Sequence, residues 1–158
     1  MEVYVLKKNY KPSQKTVQAH ILGLSGYENL HGSISFKQLS NGVLVTAEVY
    51  GLPHSDKKCE NNVFGFHIHE GDACENNGKD TGGHFNPKDC PHPYHAGDMP
   101  PLFENNGYAY LSFFTNRFSV PEILGRVVVI HDAADDFKSQ PGGNSGNKIA
   151  CGKIVWLN

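Results

Sequence analysis

The sequence has no long apolar run. Its longest, Val127-Val128-Val129-Ile130 and Ile154-Val155-Trp156-Leu157, fall far short of the roughly 20 residues a membrane-spanning helix needs. It has no basic block, only 19% charged residues and a formal net charge of −2, so neither nucleic acid nor an anionic membrane surface is an expected partner. Its opening stretch, MEVYVLKKNY, lacks the apolar core and small-residue cleavage site of an export signal. That points to the cytoplasm if Met1 is the native start. There is no internal repeat, no low-complexity tract and no interior linker. No stretch of 12 or more residues carries a helical stripe.

What is present fits one folded domain over residues 1–158, with 39% hydrophobic residues, 17 glycines and 9 prolines. Short runs rich in strand formers recur between turn clusters, at 17–24, 33–39, 43–52, 63–70, 108–115, 125–132 and 151–157. The stretch 3–7 is a further candidate strand, inside an N-terminal extension (1–16) with no obvious structure. Asn41-Gly42 reads as a hairpin turn and Asn106-Gly107 as a turn just before a strand. Seven or eight short strands imply an all-β sandwich or small barrel. Two stretches break the spacing, 71–102 and the glycine-rich 132–150. Loops of that length usually carry function.

Histidine identifies that function as metal binding. Of nine histidines, five fall between His67 and His95, and His131 ends the apolar run that starts at Val127. His67 and His69 are two apart in a strand, so both leave the same face, and paired imidazoles suit copper or zinc. His84, His92, His95 and Asp98 lie in one Gly/Pro-rich loop. Three imidazoles and a carboxylate form a closed tetrahedral zinc set. His131 joins these only if the fold returns it to His67 and His69. Asp135 and Asp136 are placed to accept hydrogen bonds from ligand imidazoles. His20, His31 and His54 have no partner in the pattern and read as ordinary strand or loop residues.

Five blocks, in order, resemble the copper/zinc superoxide dismutase family. They are Gly65-Phe66-His67-Ile68-His69-Glu70, Gly83-His84-Phe85-Asn86-Pro87, His95-Ala96-Gly97-Asp98, Gly125-Arg126-Val127-Val128-Val129-Ile130-His131 and the ending from Gly143-Asn144-Ser145 to Ala150-Cys151-Gly152. The likeness runs from about Val17 to the C-terminus, and the stretch Ser139-Gln140-Pro141-Gly142-Gly143 is similar to the bacterial branch. The resemblance implies an eight-stranded antiparallel Greek-key β-barrel with long metal-binding loops. It implies copper on His67, His69, His84 and His131, and zinc on His84, His92, His95 and Asp98. His84 would bridge the two metals and take part in proton transfer. Asp135 would link ligands of both from outside. The implied reaction converts superoxide to dioxygen and hydrogen peroxide. Copper would carry the redox step, because zinc has no second oxidation state to use.

The same resemblance pairs Cys74 with Cys151, a bond worth about 4 kcal/mol in a chain-entropy account. Cys59 and Cys90 are extra and form either a second disulfide or two free thiols. Disulfides favour an oxidising compartment, against the missing export signal. Where the family has an arginine near the copper, this chain has Lys148. Lysine keeps the charge that attracts the anion but loses the planar fork, so turnover is expected to be retained but slower. The other readings are a copper/zinc-binding protein with little or no catalysis, and a purely structural β-sandwich module. The implied assembly is a monomer or a homodimer.

Overall fold

The computed structural model describes residues 16–57, 59 and 62–157. The candidate strand at 3–7, and the extension apart from Thr16, lie outside them. The strands are β1 (Thr16–Gly23), β2 (His31–Leu39), β3 (Gly42–Tyr50), β4 (Val63–Phe64), β5 (Phe66–His69), β6 (Leu102–Phe103), β7 (Tyr108–Thr115), β8 (Val127–His131) and β9 (Lys148–Trp156). Two helical turns, Glu75–Gly78 and Val120–Ile123, are four residues each. That is consistent with a sequence that carries no longer helical stripe. Seven strands form one antiparallel sheet in the order β5-β8-β9-β1-β2-β3-β7, and β4 pairs with β6. Because β4 leads into β5 and β6 leads towards β7, this short pair lies between the two ends of the long sheet. The jump from β3 to β5 gives the Greek-key order.

Strand alternation builds the interior. In β3, Val43, Val45, Ala47 and Val49 are fully buried, while Glu48 and Tyr50 between and beyond them are exposed. Ile34 and Phe36 of β2, Ile68 of β5, Val128 and Ile130 of β8, and Ile154 of β9 complete the same core. Several expectations shift by one to three residues. The hairpin after β2 turns on Ser40 and Asn41, because Leu39 pairs directly with Gly42. Asn106 and Gly107 both adopt positive φ (52° and 80°), the geometry of the two-residue hairpin turn that suits Asn-Gly. The run 63–70 is split at Gly65, whose N–H donates to Ala133 O and whose carbonyl accepts from His131 N–H. Counting β4 and β5 as one interrupted strand gives eight. β9 begins at Lys148, three residues before the expected start at Cys151, because Lys148 already pairs with His131.

β5 positions everything that follows. It is buried on both faces: Phe66 and Ile68 point into the core, so His67 and His69 point the other way, under the loops. One edge of β5 pairs with β8. The other edge is taken by loop backbone: Phe85 N–H donates to Ile68 O (2.8 Å), Ile68 N–H to Gly97 O (2.9 Å) and Glu70 N–H to Gly83 O (2.9 Å). This zipper sets His84 opposite His69 and Asp98 opposite His67. It works only with glycine at 97, where any Cβ would run into the Ile68 carbonyl. Gly97→Ala is therefore expected to lower stability by about 1–3 kcal/mol and to speed amide exchange at Ile68 and Phe85. Urea unfolding and exchange rates equal to those of the parent protein would contradict this account of the loop's attachment.

Candidate metal centre

Two groups of donor atoms converge beside β5. In each, the donor atoms lie within 4.8 Å of one another: His67, His69, His84 and His131 in the first, His84, His92, His95 and Asp98 in the second. These are the two sets drawn from the sequence, with His84 common to both. His131 is returned to the pair by the antiparallel pairing of β5 with β8, and His69 Nε2 lies 3.2 Å from His131 Nε2. His20, His31 and His54 stay outside both groups, His31 against Asn29 O and His54 between Asp56 and Glu104.

Hydrogen bonds decide which ring nitrogen faces inward. Nδ1–H of His69 donates to Gly82 O (2.9 Å) and Nδ1–H of His131 to Gly146 O (3.4 Å), so each presents a bare Nε2. His67 does the reverse: its Nε2–H donates to Asp135 Oδ2 (2.7 Å), leaving Nδ1. His92 likewise donates from Nε2 to Asp135 Oδ1 (2.9 Å). Asp135 thus joins one imidazole from each group, as the resemblance implies. Gly143 lies against this carboxylate so closely that a Cβ there would overlap Asp135 Oδ1. Asp136 does not reach the imidazoles; it caps its own loop, accepting from Lys138 N, Ser139 N and Ser139 Oγ. His84 Nδ1 lies on the carboxylate of Asp98 (2.8 Å), which directs its Nε2 to the first group.

The donor chemistry fits metal ions. Among the described residues, His67 Nδ1, His92 Nδ1 and His95 Nδ1 are buried and form no hydrogen bond, the last two lying 3.1 and 3.3 Å from the Asp98 carboxylate in poor hydrogen-bond geometry. Buried polar atoms normally have partners, and bare nitrogens facing one another repel. A divalent cation in each group satisfies both problems. A tetrahedral three-imidazole, one-carboxylate set suits zinc, and an all-imidazole set suits copper.

The field around the site agrees. Burial is the largest influence on His67, His69 and His131, and it holds all three imidazoles below the ordinary value of 6.5, His131 down to about 3. Burial opposes ionisation of Asp98 and Asp135, but their hydrogen bonds outweigh it. His84 holds Asp98 low; His67, Phe137 N–H and His92 hold Asp135 low. Neutral imidazoles and ionised carboxylates are the ligand forms metals require.

Three supports were not visible in the pattern. Gln140 exchanges two hydrogen bonds with the backbone of His92 (2.9 and 2.8 Å) and so ties the two loops together. Arg117 donates from one guanidinium nitrogen to the carbonyls of Pro93, His95 and Asp98. Arg126 donates to Glu70 O and stacks over Phe85 at 5.2 Å. All three act across long sequence separations; Gln140 and Arg126 stood inside quoted blocks, and Arg117 did not.

A family model described as copper/zinc superoxide dismutase (SODC) matches residues 30–154. The chain belongs to the copper/zinc superoxide dismutase family. It is 35% identical to a Cu-Zn superoxide dismutase of Deinococcus radiodurans, over 92% of this chain and 87% of that one. It is 32% identical to one of Legionella pneumophila, over 78% and 76%. A crystal structure of the clock protein EA4 superposes with a TM-score of 0.77 at 30% identity, covering 94% of this chain and 98% of the other. The family's metals, copper and zinc, are those the two donor groups suit.

The disulfide that the resemblance implies is present: Cys74 and Cys151, 77 residues apart, are joined. It fixes the segment after β5 to the middle of β9. The second disulfide is not formed, and Cys59 and Cys90 are thiols. Asn86 holds the Cys90 backbone from both sides, and the Cys90 sulfur faces Lys88 O. Cys59 sits exposed in the separate connection between β3 and β4.

The depressed imidazoles have a consequence for the metal-free protein. The unfolded chain protonates these histidines near 6.5 and the folded chain at lower pH, His69 well below that and His131 at about 3. The unfolded state therefore binds more protons in that window, and stability falls with pH there. The lowered Asp98 and Asp135 add stability that is present above their ordinary 3.8 and is lost only below it. The melting temperature of metal-free protein should fall steadily between pH 7 and pH 4. A flat or rising profile over that interval would contradict the buried neutral imidazoles.

Proposed function

We propose that this chain, taken as one domain over residues 1–158, disproportionates superoxide: two superoxide anions and two protons give dioxygen and hydrogen peroxide. The observation that supports this best is the shared position of His84 between two complementary donor groups. We assign copper to His67, His69, His84 and His131, and zinc to His84, His92, His95 and Asp98. Copper supplies reversible one-electron exchange, and zinc supplies charge and order with no redox change of its own.

The chain's own residues do the rest. His84 Nδ1 lies on the side of Asp98, where it would face the zinc, and Nε2, on the other side of the ring, is left to gain and release a proton. Imidazole suits that task near neutral pH. Asp135 keeps His67 and His92 in fixed tautomers. The opening over His84 and His131 is rimmed by Gln140, Asn144 and Ser145, polar groups without formal charge. Positive charge comes from Lys148, close enough to depress both His69 and His131. A small anion is therefore admitted by size and drawn by one cation.

Superoxide is the only partner this reading requires, with a monomer or homodimer as the working unit. Among the described residues no helix is long and apolar enough to cross a membrane. The Cys74–Cys151 bond supports a compartment that keeps disulfides oxidised.

The test is superoxide turnover by protein loaded with one copper and one zinc, beside His84→Ala loaded the same way. The expected result is clear catalysis by the parent and a loss of about 10²–10⁴-fold in the variant. No catalysis by the parent with both metals bound would leave a metal-binding protein without dismutase activity.

A further inference from the structure

We propose that Lys148 is a positioning residue for His69, acting through the carbonyl of Gly82, and that it keeps no hydrogen-bond donor free for an incoming anion. The proposal rests on the reading of His69 as a copper ligand.

An ammonium group has three N–H donors and no acceptor. Lys148 Nζ lies 2.6 Å from Thr81 Oγ1, 3.1 Å from Gly82 O and 3.2 Å from Gly78 O. Three donors meet three acceptors. Thr81 is fully buried, and its hydroxyl donates to Gly78 O (2.9 Å), so its oxygen is turned to accept from Lys148. What remains for an anion is charge without a directed N–H.

The Gly82 carbonyl is the link to the site. The same oxygen accepts from His69 Nδ1–H at 2.9 Å, and a carbonyl oxygen has two lone pairs for two donors. The position of this one peptide therefore decides which nitrogen His69 turns to the first donor group. Backbone bonds pin its neighbours, Gly71 N–H to Thr81 O (2.8 Å) and Glu70 N–H to Gly83 O (2.9 Å), but apart from His69 the Gly82 oxygen itself is met by Lys148. Asn76, Asn77, Gly78 and Gly82 all have left-handed backbone (φ 50°, 56°, 76° and 69°), a region that costs a non-glycine residue energy. β9 adds two ties to the segment: the covalent bond from Cys151 to Cys74 at its start, and the ammonium of Lys148 at its end. An arginine has five donors in a planar fork and could hold these acceptors with N–H groups to spare. Lysine can do only the first.

The experiment compares the parent protein with Lys148→Met, Lys148→Arg and Thr81→Val, all zinc-loaded. It reads the copper(II) dissociation constant by chelator competition, the electron paramagnetic resonance spectrum of the copper-loaded form, and zinc affinity. Lys148→Met is expected to weaken copper binding about 10- to 100-fold, to alter the copper spectrum and to leave zinc affinity in place. Lys148→Arg is expected to restore both copper readouts. Thr81→Val leaves the lysine but releases one N–H, so azide should bind the copper-loaded variant about 3- to 10-fold tighter than the parent.

Several results would overturn the proposal. One is an unchanged copper affinity and spectrum in Lys148→Met, with only the salt dependence of turnover flattened; that pattern belongs to an anion guide. Zinc binding lost together with copper would also overturn it, as would azide affinity unmoved by Thr81→Val. A parent protein that binds copper but does not turn over superoxide removes the dismutase reading and leaves these binding comparisons valid. A parent protein that binds no copper removes both.

Discussion

His69 and His131 face each other nitrogen to nitrogen at 3.2 Å, and three further imidazole nitrogens are buried without a hydrogen bond: that of His67, and those of His92 and His95, which lie 3.1 and 3.3 Å from the Asp98 carboxylate. A hydrophobic interior does not tolerate such a set by itself, because each buried unpaired polar atom costs about 1–3 kcal/mol. Cations relieve all of these atoms at once. The architecture around them keeps the lone pairs aimed inward: Gly82 and Gly146 take the outer N–H groups of His69 and His131, and Asp135 takes those of His67 and His92. The donor sets are thus fixed from outside, by groups that no metal needs to touch.

The barrel provides one rigid strand, and the loops are fastened to it. β5 gives its core-facing side to Phe66 and Ile68 and its other side to His67 and His69. The loop reaches β5 by strand-like hydrogen bonds at Phe85 and Gly97, and β8 delivers His131 from the opposite edge. Gln140 and Arg117 then bind loop to loop through main-chain atoms. A chain this irregular between strands gains order from such cross-ties and from the Cys74–Cys151 bond, which removes freedom from the unfolded state.

Much of this was legible in the residues. A run of strand formers located β3, and the two-residue strand period placed His67 and His69 on one face. Asn106-Gly107 announced its turn through the φ values it favours. The spacing of His84, His92, His95 and Asp98 announced a metal. Other features depend on contacts that sequence spacing does not carry. The break at Gly65 exists because Ala133 and His131 claim its backbone. The early start of β9 follows from the pairing of Lys148 with His131. The separate fates of Cys59 and Cys90 follow from where two distant loops end up. Lys148 is the sharpest case: its charge was readable and the resemblance implied its place near the metal centre, but the three acceptors that occupy it come from 66 to 70 residues away.

The proposed centre has two different metals on one shared imidazole. Anomalous diffraction from crystals of the copper- and zinc-loaded protein, collected at both absorption edges, tests it most directly. The account predicts one copper peak among His67, His69, His84 and His131, one zinc peak among His84, His92, His95 and Asp98, and the His84 ring between them. A single metal peak, or two metals with His84 bound to neither or only one, would contradict it.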